Sequence, residues 1–129
     1  MAVITQGKSF LVPSGPSGFH LHIIVTNPCN NNSQLLIPIS SIKEGRFYDA
    51  TCVLLEKENL HPFIRKDSFV YYSKIQSRPA VQIEKCVKEK SFIERENFDS
   101  NALKRIREGI TVSPFSPRWA KNQYINWPD

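Results

Sequence analysis

The chain has 129 residues, of which 40% are hydrophobic and 22% charged, and its net charge is +5. That suits one ordinary domain with a small core and argues against disorder. No apolar run reaches the ~18 residues needed for a membrane-spanning helix, and no basic region followed by an apolar run opens the chain, so a cytoplasmic location is the expectation.

In chain order, residues 7–13 (GKSFLVP) read as a short first strand ended by Pro13. Residues 14–18 (SGPSG) are turn formers between strands, too short for a domain linker. Residues 19–26 (FHLHIIVT) make a second strand, rich in apolar and β-branched types. The polar run 27–33 turns the chain into a third strand over 34–40, so the two should form a hairpin. Residues 49–55 suggest a fourth strand, and 68–75 (SFVYYSKI) a strong fifth. Between these two, His61 precedes Pro62, which pushes it to extended geometry and excludes a mid-helix position. Residues 80–87 alternate enough for a sixth strand, with Val81, Ile83 and Lys85 facing one way.

One helix is expected, over 100–108, capped by Asp99 or Ser100 and stopped by Gly109. Leu103, Ile106 and Ile110 give its apolar stripe. The tail beyond carries Phe115, Trp119, Tyr124 and Trp127, too much aromatic surface to leave in water, and should be packed or partner-bound. Five or six short strands and a late helix describe a mainly β fold, a bent sheet or partly closed barrel. The whole chain, 1–129, reads as one domain: a barrel over about 7–88, the helix, and the aromatic tail 111–129.

Cys29, Cys52 and Cys86 are odd in number and widely spaced, which fits neither a disulfide framework nor a zinc knuckle. Chemistry is more plausible at the histidines. His20 and His22 are two apart on a strand, so they share a face. Imidazoles titrate near neutrality and can take the 2′-hydroxyl proton of RNA or protonate the leaving oxygen. The plainer alternative is one surface histidine and one partly buried, hydrogen-bonded histidine. Ser40 and Ser41, at the end of the third strand, can donate to a phosphate oxygen or simply bond to turn backbone. His61, with Arg65 and Lys66, suits a phosphate, or is a turn beside a solvated charge cluster. A zinc site from His20 and His22 with His61, Cys52 or Asp49 is a third option, resting on a weak H-x-H signal.

The basic balance favours acidic partners, nucleic acid first. Cations also interleave with aromatics, at Lys8/Phe10, Arg46/Phe47/Tyr48, Arg65, Lys66/Tyr71/Tyr72, Lys74, Arg78 and Arg118/Trp119. Base stacking plus phosphate pairing would suit single-stranded RNA; aromatics in a core with cations outside is the ordinary alternative.

With these residues placed, the chain resembles the PemK/MazF-like toxin family over roughly residues 7–110. Residues 7–13 look like that family's opening strand, a glycine followed by an apolar run. Residues 20–26 are similar to its second strand, which usually starts Arg-Pro and ends rich in valine. Ile37-Pro38-Ile39-Ser40-Ser41 looks like its P-I-T-S strand end, 68–75 resembles its later strand, and 100–110 its closing helix. The resemblance implies an SH3-like barrel and a metal-independent endoribonuclease without cofactor. It also implies the toxin half of a type II toxin–antitoxin pair, which forms a homodimer and binds an antitoxin that blocks the RNA groove. The family's catalytic arginine and its Thr or Ser fall on His20 and on Ser40-Ser41. His20 therefore replaces the arginine, no proline follows it, and Ser73-Lys74 stands where an acidic–amide pair is common.

Those residues lead to an expected catalytic set of His20, His22 and Ser40. Ser41, His61, Arg65, Lys66 and Lys74 are expected near RNA phosphate. A non-catalytic binding module on the same barrel, an accessory protein of a mobile-element or defence operon, is the alternative.

Overall fold

The structure, a computed structural model, describes residues 4–29 and 32–128. Its strands are β1 (Ser9–Pro13), β2 (Phe19–Ile24), β3 (Ser33–Ser41), β4 (Val53–Leu54), β5 (Ser68–Val70), β6 (Gln76–Pro79) and β7 (Ile93–Arg95). Helix α1 (Ala80–Lys88) lies between β6 and β7, and α2 (Ser100–Val112) and α3 (Arg118–Ile125) follow. The strands form one antiparallel sheet in the order β4-β5-β3-β2-β1-β7, with β6 also on β3 and no closure between the ends of the path. Among the described residues, no helix is long and apolar enough to cross a membrane.

β3 organises the sheet because it is the longest strand and has three partners. On one edge it meets β2, from Ile24↔Leu36 to Leu21↔Ile39. Its other edge is divided: residues 33–36 pair with β6 and residues 39–41 with β5. The division falls at Pro38. In an antiparallel strand a residue's N–H and C=O face the same neighbour. The Pro38 carbonyl accepts the Tyr71 N–H (2.9 Å), but Pro38 has no N–H to return. There the partner strand breaks into a single 3₁₀ turn, Tyr72–Lys74, before resuming as β6.

Alternation along the strands gives the sheet two apolar faces. Leu21, Ile23, Leu35, Ile37, Ile39 and Val70 form one with Ala102, Leu103, Ile106 and Ile110 of α2. Phe10, Val12, Ile24 and Leu36 form the other, with Ile83 of α1 and Phe92. Further along this second face stand His20, His22, Pro38 and Ser40, which line an open cavity instead.

Several expectations are corrected. Residues 80–87 are helix α1, not a sixth strand: Ala80 and Ile83 are buried and Val87 packs beside them, a helical spacing, whereas Val81 is 61% exposed. The sixth strand is the preceding Gln76–Pro79, and β7 is a seventh. Of the fourth and fifth strands expected, only Val53–Leu54 and Ser68–Val70 pair. The expected helix is present and capped as read, Asp99 Oδ1 accepting the Ala102 N–H (2.8 Å), but it runs through Gly109 to Val112. The aromatic tail folds as α3. Trp127 Nε1 donates to the Asn27 carbonyl (2.8 Å), and Arg107 Nε donates to the Tyr124 hydroxyl (3.1 Å).

Candidate functional site

The β2–β3 ladder stops at Leu21↔Ile39. Beyond it, β2 continues against β1 as far as Pro13↔Phe19, and β3 continues against β5 as far as Ser41↔Ser68. His20 and Ser40 therefore stand on either side of a notch between two strands that have parted. Two cavities meet there, and both residues line both.

The first cavity, about 310 Å³, is walled by Phe19 and Phe63 and carries Ser41, Lys43, Arg65 and Lys66. The second, about 340 Å³, has apolar walls from Val12, Pro13 and Pro38 and carries His22, Tyr71, Lys74, Gln76 and Arg78. Neither is lined by a carboxylate among the described residues. The result is one trough with five cations and no fixed negative charge, centred on His20 and Ser40.

The cations reach the trough for local reasons. Arg65 and Lys66 are exposed on the loop 61–67, whose neighbours His61, Ile64 and Ser68 are buried. Ile64 N–H bonds to the His61 carbonyl (3.0 Å), and Ser68 Oγ donates to the Lys66 carbonyl (2.9 Å). Lys74 is exposed on the 3₁₀ turn that follows the Tyr71–Pro38 bond, and Tyr71 opens that turn. Arg78 is half-buried on β6. Its Nε donates to Gln76 Oε1 (2.7 Å), and its guanidinium lies over the Phe92 ring (5.5 Å).

The histidines differ sharply. His20 is half-buried at the notch. His22 is 2% exposed. Desolvation pushes its pKa down to about 4; the hydrogen bond to the His20 carbonyl opposes this, and the charges of His20 and Arg78 add to it. A carbonyl only accepts, so His22 Nδ1 carries the proton it donates to His20 O (3.1 Å). The neutral ring keeps its lone pair on Nε2, which takes no hydrogen bond from the described residues.

His61 is not brought to the trough, so the expectation that it contacts phosphate is corrected. It is 2% exposed and stacks on Phe98 at 4.8 Å. Nδ1 accepts the Phe63 N–H (3.1 Å), leaving Nε2–H to donate to the Glu96 carbonyl (2.8 Å) with Ser9 Oγ 2.9 Å away. Both nitrogens are used inside the protein, and burial pushes the pKa down. Its contribution is to anchor the loop that carries Arg65 and Lys66.

The trough thus gathers His20, His22, Ser40, Ser41, Arg65, Lys66 and Lys74 and omits only His61 from the expected set. It adds Phe19, Lys43, Phe63, Gln76 and a specific place for Arg78. Lys43 was findable, since it lies two residues past the Ser40-Ser41 strand end. Among the described residues, no group of three or more His, Cys, Asp or Glu is arranged to hold a metal ion.

Such a trough can bind a chain of phosphates through charge-assisted contacts, and flat bases against its aromatic and proline walls. No protein-family model matches the chain, and no curated protein matches it. Fold and site together define a mainly β, antiparallel-sheet protein with a cation-lined trough at the parting of its two central strands.

Proposed function

We propose that this protein is a metal-independent endoribonuclease, the toxin of a type II toxin–antitoxin pair, built on an SH3-like barrel of the PemK/MazF kind. What carries the reading is the meeting of two cation-lined cavities at His20 and Ser40. RNA lies along the trough as a single strand, with the scissile phosphate at the notch. His22, neutral and with Nε2 unprotonated, accepts the 2′-hydroxyl proton. The 2′-oxygen attacks phosphorus, and the bond to the 5′-oxygen breaks as His20 supplies a proton to it. The products are a 2′,3′-cyclic phosphate and a 5′-hydroxyl. Ser40 and Ser41 donate to the phosphate oxygens, and Arg65, Lys66 and Lys74 hold the phosphates on either side. A homodimer acting in the cytoplasm, silenced by an antitoxin over the trough, belongs to the same reading.

A second reading is favoured by the near-complete burial of His22: the trough binds single-stranded RNA without cutting it. Induced expression separates the two. Growth arrest with fragmented RNA in the wild type, absent in a His20→Ala/His22→Gln variant, supports the nuclease. Normal growth with intact RNA in both leaves the binding module.

A further inference from the structure

We infer that the second cavity is a pocket for a single guanine base and that Arg78 reads it, so that the strand is cut on the 3′ side of a guanosine; this rests on the reading of the trough as an RNA site. At about 340 Å³ the cavity lies at the small end of ligand pockets, the size range for one base rather than a stacked pair. Val12, Pro38 and Tyr71 give it flat or apolar walls, which suit the face of a base and give nothing to a phosphate.

Arg78 is built as a reader. Gln76 Oε1 occupies its Nε–H at 2.7 Å, and Phe92 supports the guanidinium plane from one side. The fork is therefore held in one orientation, and its terminal N–H groups remain. Among the described residues no carboxylate forms an ion pair with it. A half-buried, pre-oriented guanidinium without a counter-charge presents its fork to an acceptor pair. Guanine offers O6 and N7 side by side, matching the fork; adenine sets an amino group beside N7, and the pyrimidines lack N7. Lys74, exposed at the rim, suits the phosphate that follows. With the base on Arg78, the same nucleotide's ribose lies toward His22 and His20, and its 3′-phosphate falls at the notch.

The test uses five-nucleotide RNAs differing only at the central base, with every 2′-hydroxyl replaced by 2′-fluoro so that none can be cut. Affinities are measured by fluorescence polarisation for the wild type, Arg78→Gln and Gln76→Leu. One bidentate pair is worth about 5- to 150-fold in discrimination, so the wild type should prefer central G over A by that factor. Arg78→Gln should remove the preference for G, weakening the G pentamer far more than the A pentamer. Gln76→Leu, which leaves the guanidinium in place but unclamped, should reduce the preference, and it carries the test if Arg78→Gln does not fold. Equal wild-type affinity for all four central bases overturns the guanine pocket and leaves the RNA trough standing. Equal loss for every pentamer in Arg78→Gln makes Arg78 a phosphate ligand and also overturns it. A wild type that binds none of the pentamers overturns pocket and trough together.

Discussion

Gly109 lies directly against the phenol of Tyr72: a Cβ at position 109 would overlap the Tyr72 hydroxyl and ring. Tyr72 is fully buried, and its hydroxyl donates to the Ile106 carbonyl one turn earlier in α2 (2.7 Å). Since Tyr72 begins the 3₁₀ turn between β5 and β6, this contact ties the kinked strand to the helix. Tyr71 and Lys74, which face the trough, flank that anchor.

The first expectation concerns this contact. In an open helix position, Gly→Ala stabilises by ~1 kcal/mol. Here the methyl group must displace a buried ring, an overpacking cost of about 1–3 kcal/mol, and disturb a hydrogen bond worth about 1 kcal/mol more. Gly109→Ala should therefore destabilise by about 1–3 kcal/mol, read as a lower urea midpoint at unchanged slope. Tyr72→Leu in the Gly109→Ala background should restore part of the loss. A Gly109→Ala protein as stable as the wild type would show that the helix shifts freely against the strand.

The second expectation is a pH dependence. The folded pKa of His22 is pushed down to about 4 from an ordinary 6.5. Between these values the unfolded chain binds a proton that the folded chain refuses, so stability rises with pH through this window and falls as pH drops from 6.5 toward 4. The loss amounts to roughly 3 kcal/mol at the acid end, and burial of His61 adds to it in the same direction. Denaturant titrations from pH 7 to pH 4.5 should show the decline, and His22→Gln should flatten it. A wild type of constant stability over that range would mean that His22 titrates normally.

The third expectation tests the electrostatics of the trough. For single strands, each phosphate neutralised contributes ~0.7 to the slope of log affinity against log salt. Arg65→Gln and Lys66→Gln should each lower the slope by about that amount and weaken all RNA sequences alike. Lys57→Gln, on a different exposed turn, should leave the slope unchanged. An equal effect from Lys57 would replace the trough with a diffuse basic surface.

What the sequence disclosed, and what it hid, follows from how local each cause is. β1, β2 and β3 were legible because their apolar residues alternate or run together without interruption. The Asp99 cap was legible because its signal lies within four residues. The α1 error came from reading Val81, Ile83 and Lys85 at period two when Ala80, Ile83 and Val87 satisfy the helical spacing; over eight residues both patterns fit. Gly109 was misread because a glycine that admits a distant tyrosine ring is indistinguishable, locally, from one that ends a helix. The trough residues were identified as types at strand ends, but their convergence depends on the parting of β2 from β3 and the break opposite Pro38. His61 was misplaced for the same reason: its partners Ser9, Phe63, Glu96 and Phe98 come from three separate segments.

The last expectation separates chemistry from folding at the notch. His20 is half-buried and His22 almost fully buried, so the two substitutions are not equivalent. His20→Ala should change stability by no more than about 0.5 kcal/mol and abolish RNA cleavage. His22→Ala leaves a hole beneath the trough and confounds the two effects, so His22→Gln, which keeps a polar side chain of similar length, is the informative partner. On the proposed mechanism Ser40→Ala removes one donor to the phosphate and should cost about 10²–10³ in rate. Cleavage of a fluorogenic oligoribonucleotide in the presence of a chelator, with melting temperatures recorded alongside, reads all three variants. Full activity in His20→Ala would remove the acid from the mechanism, whereas a wild type that leaves the substrate uncut would move the function to RNA binding without cleavage.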